Sequence, residues 1–265
     1  MRCREWIELF EKLAPESLAC DWDNPGLIAG RYDKEIRRVF VALDATDEVI
    51  AQAVREQADL LVTHHPLIFK SLKQVNDGNF IGRRMVNLLQ ADICCFAMHT
   101  NFDIAPGCMA DLAAERLELK DGEPLEVTGE VEGKPVGIGK IGSLEKPVSL
   151  AELAAQVKNA FELPFVTVYG SEEVTEPISR IALSPGAGGS MTGLAVQKEA
   201  QVLITGDIGH HTGIDAAACH MAVIDAGHYG MEHIFIPFVA EYIQRKSAGA
   251  VQVMTAAPAF PVKVL

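Results

Sequence analysis

Six of the chain's eight histidines fall in four short stretches, three of which also carry a carboxylate. The stretches are His64-His65-Pro66, His99-Thr100-Asn101-Phe102-Asp103, Gly206-Asp207 with His210-His211, and His228-Tyr229-Gly230-Met231-Glu232. Imidazole suits zinc, iron, nickel and copper, and carboxylates add hard oxygen ligands that can bridge two ions. The expectation is a two-metal site built from His64, His65, Asp103, His228 and Glu232, doing hydrolytic chemistry.

Each residue also has a plainer reading. Adjacent histidines on a straight strand point to opposite faces, so His64 and His65 could be one structural and one exposed residue. A strand end running into Pro66 lets the backbone turn both rings toward one cavity. His228 and Glu232 stand four apart with Gly227 and Gly230 nearby, which fits a tight loop opening a helix; a capping histidine and an exposed glutamate fit too. Asp103, just before Ile104-Ala105-Pro106-Gly107, reads as a ligand or as a turn aspartate. His99 is a ligand or a hydrogen-bonding neighbour of one. Asp207, His210 and His211 read as pocket lining, helix caps or catalytic groups, and His220 and His233 as structural.

Other catalytic sets are weaker. The chain has no G-x-S-x-G elbow, no P-loop and no G-x-G-x-x-G after a strand. The run Gly186-Ala-Gly188-Gly189-Ser190 reads as a tight turn or as a backbone cradle for an anion. Cys94-Cys95 lie in an apolar strand and are not read as nucleophiles.

The elements that must position these residues occur in the same order twice. Glu56–Thr63 matches Lys198–Thr205 and Arg38–Val41 matches Arg180–Leu183, both at an offset of 142, while His99 and Asp103 match His228 and Glu232 at 129. Each copy reads strand, helix, strand, helix, strand, helix, and such alternation points to parallel pairing with helices on the sheet faces. The expected fold is therefore α/β: two intertwined, duplicated halves with mixed, mostly parallel sheets flanked by helices. The repeats cover about 36–120 and 178–256, with a connecting segment at about 121–177 and no inserted extra domain. Within that segment Gly129–Gly142 reads as a hairpin, and Ser149–Ala160 as a helix opened by a Ser149/Glu152 capping box. The histidine stretches sit where strands end, where ligands gather in such sheets.

A formal net charge of -13 with no Lys/Arg block argues against bulk nucleic-acid binding. No apolar run approaches the ~20 residues of a membrane span, and the N-terminus lacks the apolar core of a secretory signal. Six cysteines without a C-x-x-C pair read as reduced thiols. The chain is expected to be cytoplasmic and without a membrane partner.

The stretches Trp22-Asp23-Asn24-Pro25-Gly26-Leu27, Leu61–Pro66, His99–Asp103, Thr205-Gly206-Asp207 with His210-His211, and Asp225-Ala226-Gly227-His228-Tyr229 with Glu232 resemble the GTP cyclohydrolase I type 2-like family, also called the Nif-three-like proteins. The family's metal ligands map onto His64, His65, Asp103, His228 and Glu232, and its histidine at position 99 is not counted among them. Departures are Cys108, where relatives usually carry glycine, and Pro25, where valine is commoner. The resemblance implies a ring-shaped homohexamer. With it, the expected function is a binuclear metal-dependent hydrolase of a small-molecule substrate such as a nucleotide, opening the guanine ring as a GTP cyclohydrolase does. It would use two divalent ions per chain (zinc, iron, manganese or nickel), with Glu232 and His99 in catalytic roles. The rival reading is a non-catalytic metal-binding scaffold that stores metal or docks a partner.

Overall fold

Short, wholly buried apolar runs become the strands, and amphipathic runs opened by capping residues become the helices. The computed structural model describes residues 1–265 apart from 171 and 173. Helix α1 (Cys3–Leu13) leads to β1 (Gly26–Ala29), β2 (Arg38–Ala42), α2 (Asp47–Arg55), β3 (Leu60–Thr63), α3 (Phe80–Gln90), β4 (Cys94–Ala97) and the short α4 (Thr100–Ile104). Next come α5 (Met109–Arg116), β5 (Lys120–Val131), β6 (Lys134–Val148), α6 (Leu150–Ala160), β7 (Thr167–Tyr169) and β8 (Ile178–Ala187). The chain ends with α7 (Thr192–Gln197), β9 (Val202–Gly206), α8 (His210–Ala218), β10 (Ala222–Asp225), α9 (His228–Glu232), α10 (Phe235–Ser247) and β11 (Gln252–Thr255).

Two compact units share these elements. Unit 1 holds residues Met1–Phe102 and Phe235–Pro258, and unit 2 holds Asp103–Ile234 and Ala259–Leu265. Unit 1 carries a five-stranded sheet in the order β1-β4-β3-β2-β11, parallel throughout except for β1 against β4. Its strands β3 and β4 are buried at every position, the pattern of a parallel strand covered on both faces. Alternate residues divide the labour. Phe40, Leu61 and Cys95 meet Ile50 and Ala53 of α2 and Met85 and Leu88 of α3 in one core. Phe96 instead stacks on Phe10 of α1, with ring centroids 5.0 Å apart. The Tyr242 hydroxyl of α10 donates to the Leu9 carbonyl of α1 at 2.7 Å.

Unit 2 carries a six-stranded sheet in the order β5-β6-β8-β9-β10-β7. Here the expectation of mostly parallel pairing is corrected: only β8–β9 and β9–β10 are parallel, while β5–β6, β6–β8 and β10–β7 are antiparallel. The reason is the segment between the repeats. Its hairpin, longer than Gly129–Gly142, joins the sheet through β6 instead of standing apart, and β7 closes the far edge. Glu132 and Gly133 turn the hairpin with positive φ angles of 50° and 76°, the two-residue turn that matches strand twist. Ala182, Leu203 and Val223, aligned across β8, β9 and β10, pack on Ala195 of α7 and Ala216 of α8. Helix α6 opens on the expected capping box, Ser149 Oγ accepting from the Glu152 amide at 3.2 Å. The four strands that precede histidine stretches (β3 and β4 in the first sheet, β9 and β10 in the second) are paired in parallel, so within each sheet the loops after them leave the same end.

Candidate metal centre

In unit 1 the backbone turns at the end of β3, as Pro66 requires. The amides of His64 and His65 both donate to the Leu43 carbonyl at 3.1 Å, and Thr63 Oγ1 donates to the His65 carbonyl at 2.9 Å. Successive amides aimed at one acceptor cannot belong to a straight strand. Both rings therefore face the same region, with centroids 4.9 Å apart. His99 arrives from the end of β4, where the Met98 amide donates to the Thr63 carbonyl. Its backbone is held by Asn101 Oδ1 at 2.8 Å, and Asn101 in turn donates to the Ala14 carbonyl at 2.7 Å. One nitrogen from each of His64, His65 and His99 lies within 4.8 Å of the others, close enough for a metal ion to gather them.

In unit 2, β10 ends at Asp225, whose carboxylate accepts from the Ile208 and Gly227 amides, both at 2.9 Å. Gly227, at φ 74°, then starts α9. His228 Nε2 lies 3.0 Å from Glu232 Oε2, the i,i+4 pair of one helical turn. Close backbone approach is built in by glycine. A Cβ on Gly206 would collide with the His228 amide, and one on Gly186 would collide with Glu232 Oε1. Gly186 is thus committed to making room for a buried carboxylate, the Glu232 side chain being 3% exposed. A cation beside Glu232 would supply the compensation that a buried carboxylate needs.

The four histidines share one further feature. Nδ1 of His64 donates to the Met98 carbonyl (2.7 Å), that of His65 to Asp44 (2.8 Å), that of His99 to Asp23 (2.7 Å) and that of His228 to Asp207 (2.9 Å). Each acceptor is an oxygen that cannot donate, so Nδ1 carries a proton, and Nε2 of a neutral ring is left with the lone pair. His228 differs in that its Nε2 faces the Glu232 carboxylate, a contact that needs a proton or a cation between the two. Orientation by a carboxylate or carbonyl is the usual support of a metal-binding imidazole. Sequence reasoning missed Asp44, gave Asp23 no role of its own, and left Asp207 between pocket lining, helix capping and catalysis. Asp23 lay within the quoted Trp22–Leu27 motif, so its position was visible although its hydrogen bond was not. Burial pushes the Asp23 carboxyl up, but hydrogen bonds from His99, Thr100 and the Asn24 amide overcome it and hold the group at about 2.

The remaining candidates separate cleanly. Asp103 lies on α4, half-buried. Near it, burial together with the charges of Asp111 and Asp103 pushes the Cys108 thiol far above its ordinary value. His210 and His211 are exposed in the first turn of α8, which has Gly209 at its cap and no side-chain cap. His233 is structural as read: it donates to the Gly230 carbonyl at 2.9 Å and stacks on Tyr229, and burial lowers its pKa first of all. His220 takes the left-handed turn after α8 (φ 58°).

Two mixed sheets flanked by helices, with histidine and carboxylate clusters at strand ends that could hold a metal ion, define the class: an α/β protein with a candidate metal centre. Residues 1–258 match the Duf34/NIF3 (NGG1p interacting factor 3) family, and the chain belongs to that family. It is 34% identical over 247 residues to the GTP cyclohydrolase 1 type 2 homolog of Streptococcus pneumoniae serotype 4, covering 92% of this chain and 91% of that protein. The Lactococcus lactis homolog of the same name is 32% identical, covering 94% of both chains. A Bacillus cereus protein related to NIF3 has the same fold, with a TM-score of 0.92 over 100% of this chain and 99% of that one at 24% identity. Among the described residues no helix is long and apolar enough to cross a membrane.

Proposed function

We propose that the chain is a binuclear metal-dependent hydrolase in which His64, His65, Asp103, His228 and Glu232 hold two divalent ions. The observation that carries this is the shared anchoring of the imidazoles by Nδ1, which presents Nε2 as the donor atom. Mixed imidazole and carboxylate donors fit zinc, iron, manganese or nickel. Ions held there would polarise a substrate and bring a water's pKa toward neutrality.

The residues supply the rest. Glu232 orients the attacking water, and its neighbour His228 is held in one tautomer by Asp207. His99, fixed by Asp23, accepts and returns a proton beside the reacting group. The names of the relatives, GTP cyclohydrolase 1 type 2 homologs, support GTP as substrate; water would then attack C8, open the guanine ring and release formate. We extend the same reading to a duplicated origin for the two units and to a homohexameric ring acting in the cytoplasm.

The test is metal content of protein purified without chelator, together with turnover of GTP and generic phosphoesters. Near two metals per chain with metal-dependent turnover is expected, and His228→Ala should abolish turnover while the assembly persists. Two metals without any turnover would favour the scaffold reading, and turnover by metal-free protein would end the hydrolase reading.

A further inference from the structure

Trp22 and Phe69 are 60% and 53% exposed, in a chain that buries Trp6 and Phe10 completely. They are held in water by design of their loops. The Asn24 side chain, two residues past Trp22, donates to the Ile68 carbonyl, next to Phe69, at 2.7 Å. The Cys20 amide donates to Thr100 Oγ1 at 2.9 Å, and the Asp23 carboxylate takes His99 Nδ1 at 2.7 Å and the Thr100 amide at 3.0 Å. The loop bearing Trp22 is thus pinned on both sides of the ring. The two rings touch, with centroids 5.7 Å apart, and both meet the His99 imidazole edge-on at 6.1 and 6.3 Å.

Large rings fixed in solvent beside a candidate reaction centre offer an apolar face that a ligand can cover. A flat heteroaromatic ring suits it, because stacking on aromatic side chains tolerates any base with a π-face. The charge nearby points the same way. Lys70 directly follows Phe69 and Lys73 comes three residues later, both exposed. In a chain of net charge -13, two such cations are suited to an anion.

We infer that Trp22 and Phe69 form a stacking shelf for the purine ring of a nucleotide, with Lys70 and Lys73 attracting its phosphate. The inference rests on the reading of the neighbouring histidines as the reaction centre, since the shelf would set a ring beside His99. Binding to the shelf itself requires neither metal nor turnover.

The chain has two tryptophans, one buried and one on the shelf, so fluorescence reads the shelf directly. The full-length protein is titrated with GMP and, as a ringless control, ribose 5-phosphate. GMP should quench the iodide-accessible emission and ribose 5-phosphate should not. Trp22→Phe should abolish that quenching while calorimetry still finds GMP binding, whereas Trp22→Ala and Phe69→Ala should each weaken binding about tenfold. Thermal unfolding of the variants should stay near that of the parent, because both rings lie largely outside the core. Emission that iodide cannot reach, GMP binding unchanged in Trp22→Ala, or ribose 5-phosphate binding as tightly as GMP would each overturn the shelf. Quenching without turnover keeps the shelf and removes the hydrolase; turnover that Trp22→Ala leaves untouched does the reverse.

Discussion

At the scale of single residues, the site is governed by what stands behind each histidine. An imidazole in water samples both tautomers, and an oxygen acceptor on Nδ1 selects one. His64, His65, His99 and His228 each have such an acceptor, so the choice is made before any ligand arrives. Gly186 does comparable work by omission. Its φ of 78° disfavours any side chain, and a Cβ would occupy the place of Glu232 Oε1. Gly186→Ala is therefore expected to lower stability by about 1–2 kcal/mol from backbone strain and to cut metal content per chain by displacing Glu232. Elemental analysis beside a denaturant melt checks both; a variant that melts lower yet keeps its metal would show that Glu232 tolerates the displacement. The histidines themselves were legible because their residue type advertises the chemistry. Their acceptors were not, since aspartates are common and a carbonyl such as that of Met98 leaves no mark in sequence.

At the scale of elements, strand ends explain why the histidines cluster. β3, β9 and β10 were readable as the apolar runs Leu60–Thr63, Val202–Thr205 and Met221–Ile224, each within one residue of the strand's ends, and the turn at His64-His65 follows from Pro66. Helix α4 shows a device that local pattern does not reveal. Its first turn is met by Asp23, which accepts from the Thr100 amide at 3.0 Å and the Thr100 hydroxyl at 2.5 Å across 77 residues of sequence. An anion at a helix N-terminus is favoured by the exposed amides there. Because the Asp23 carboxyl sits at about 2 in the folded chain against an ordinary 3.8, the charged form stabilises the fold. That contribution, about 2 kcal/mol, is complete above pH 5 and is lost as the pH falls through 4 toward 2. Asp23→Asn should accordingly unfold more easily at pH 7 and show a shallower loss of stability on acidification. Parallel acid titrations of the two proteins would expose a wrong assignment if their slopes coincide.

At the scale of the whole molecule, the proposed ring predicts a solution mass six times the 28.7 kDa chain, measurable by light scattering; a monomer or dimer at micromolar concentration would remove the ring. What the sequence alone determined is the chemical inventory and its local setting: the histidine stretches, the apolar strands before them, the Ser149 cap and the α/β alternation. Each of these is written within a few residues, where periodicity and backbone preference act. The tertiary structure decided the rest. It placed β11 beside β2 in the first sheet, setting Val253 against Val39 and Met254 against Phe40 although 214 positions separate the members of each pair. It set the β5–β6 hairpin against β8, making the second sheet largely antiparallel. It also brought Asp44 to His65 and Asp23 to His99. Such pairings depend on register and loop closure over long separations, and many alternatives satisfy the same local pattern, so only the packed chain selects among them.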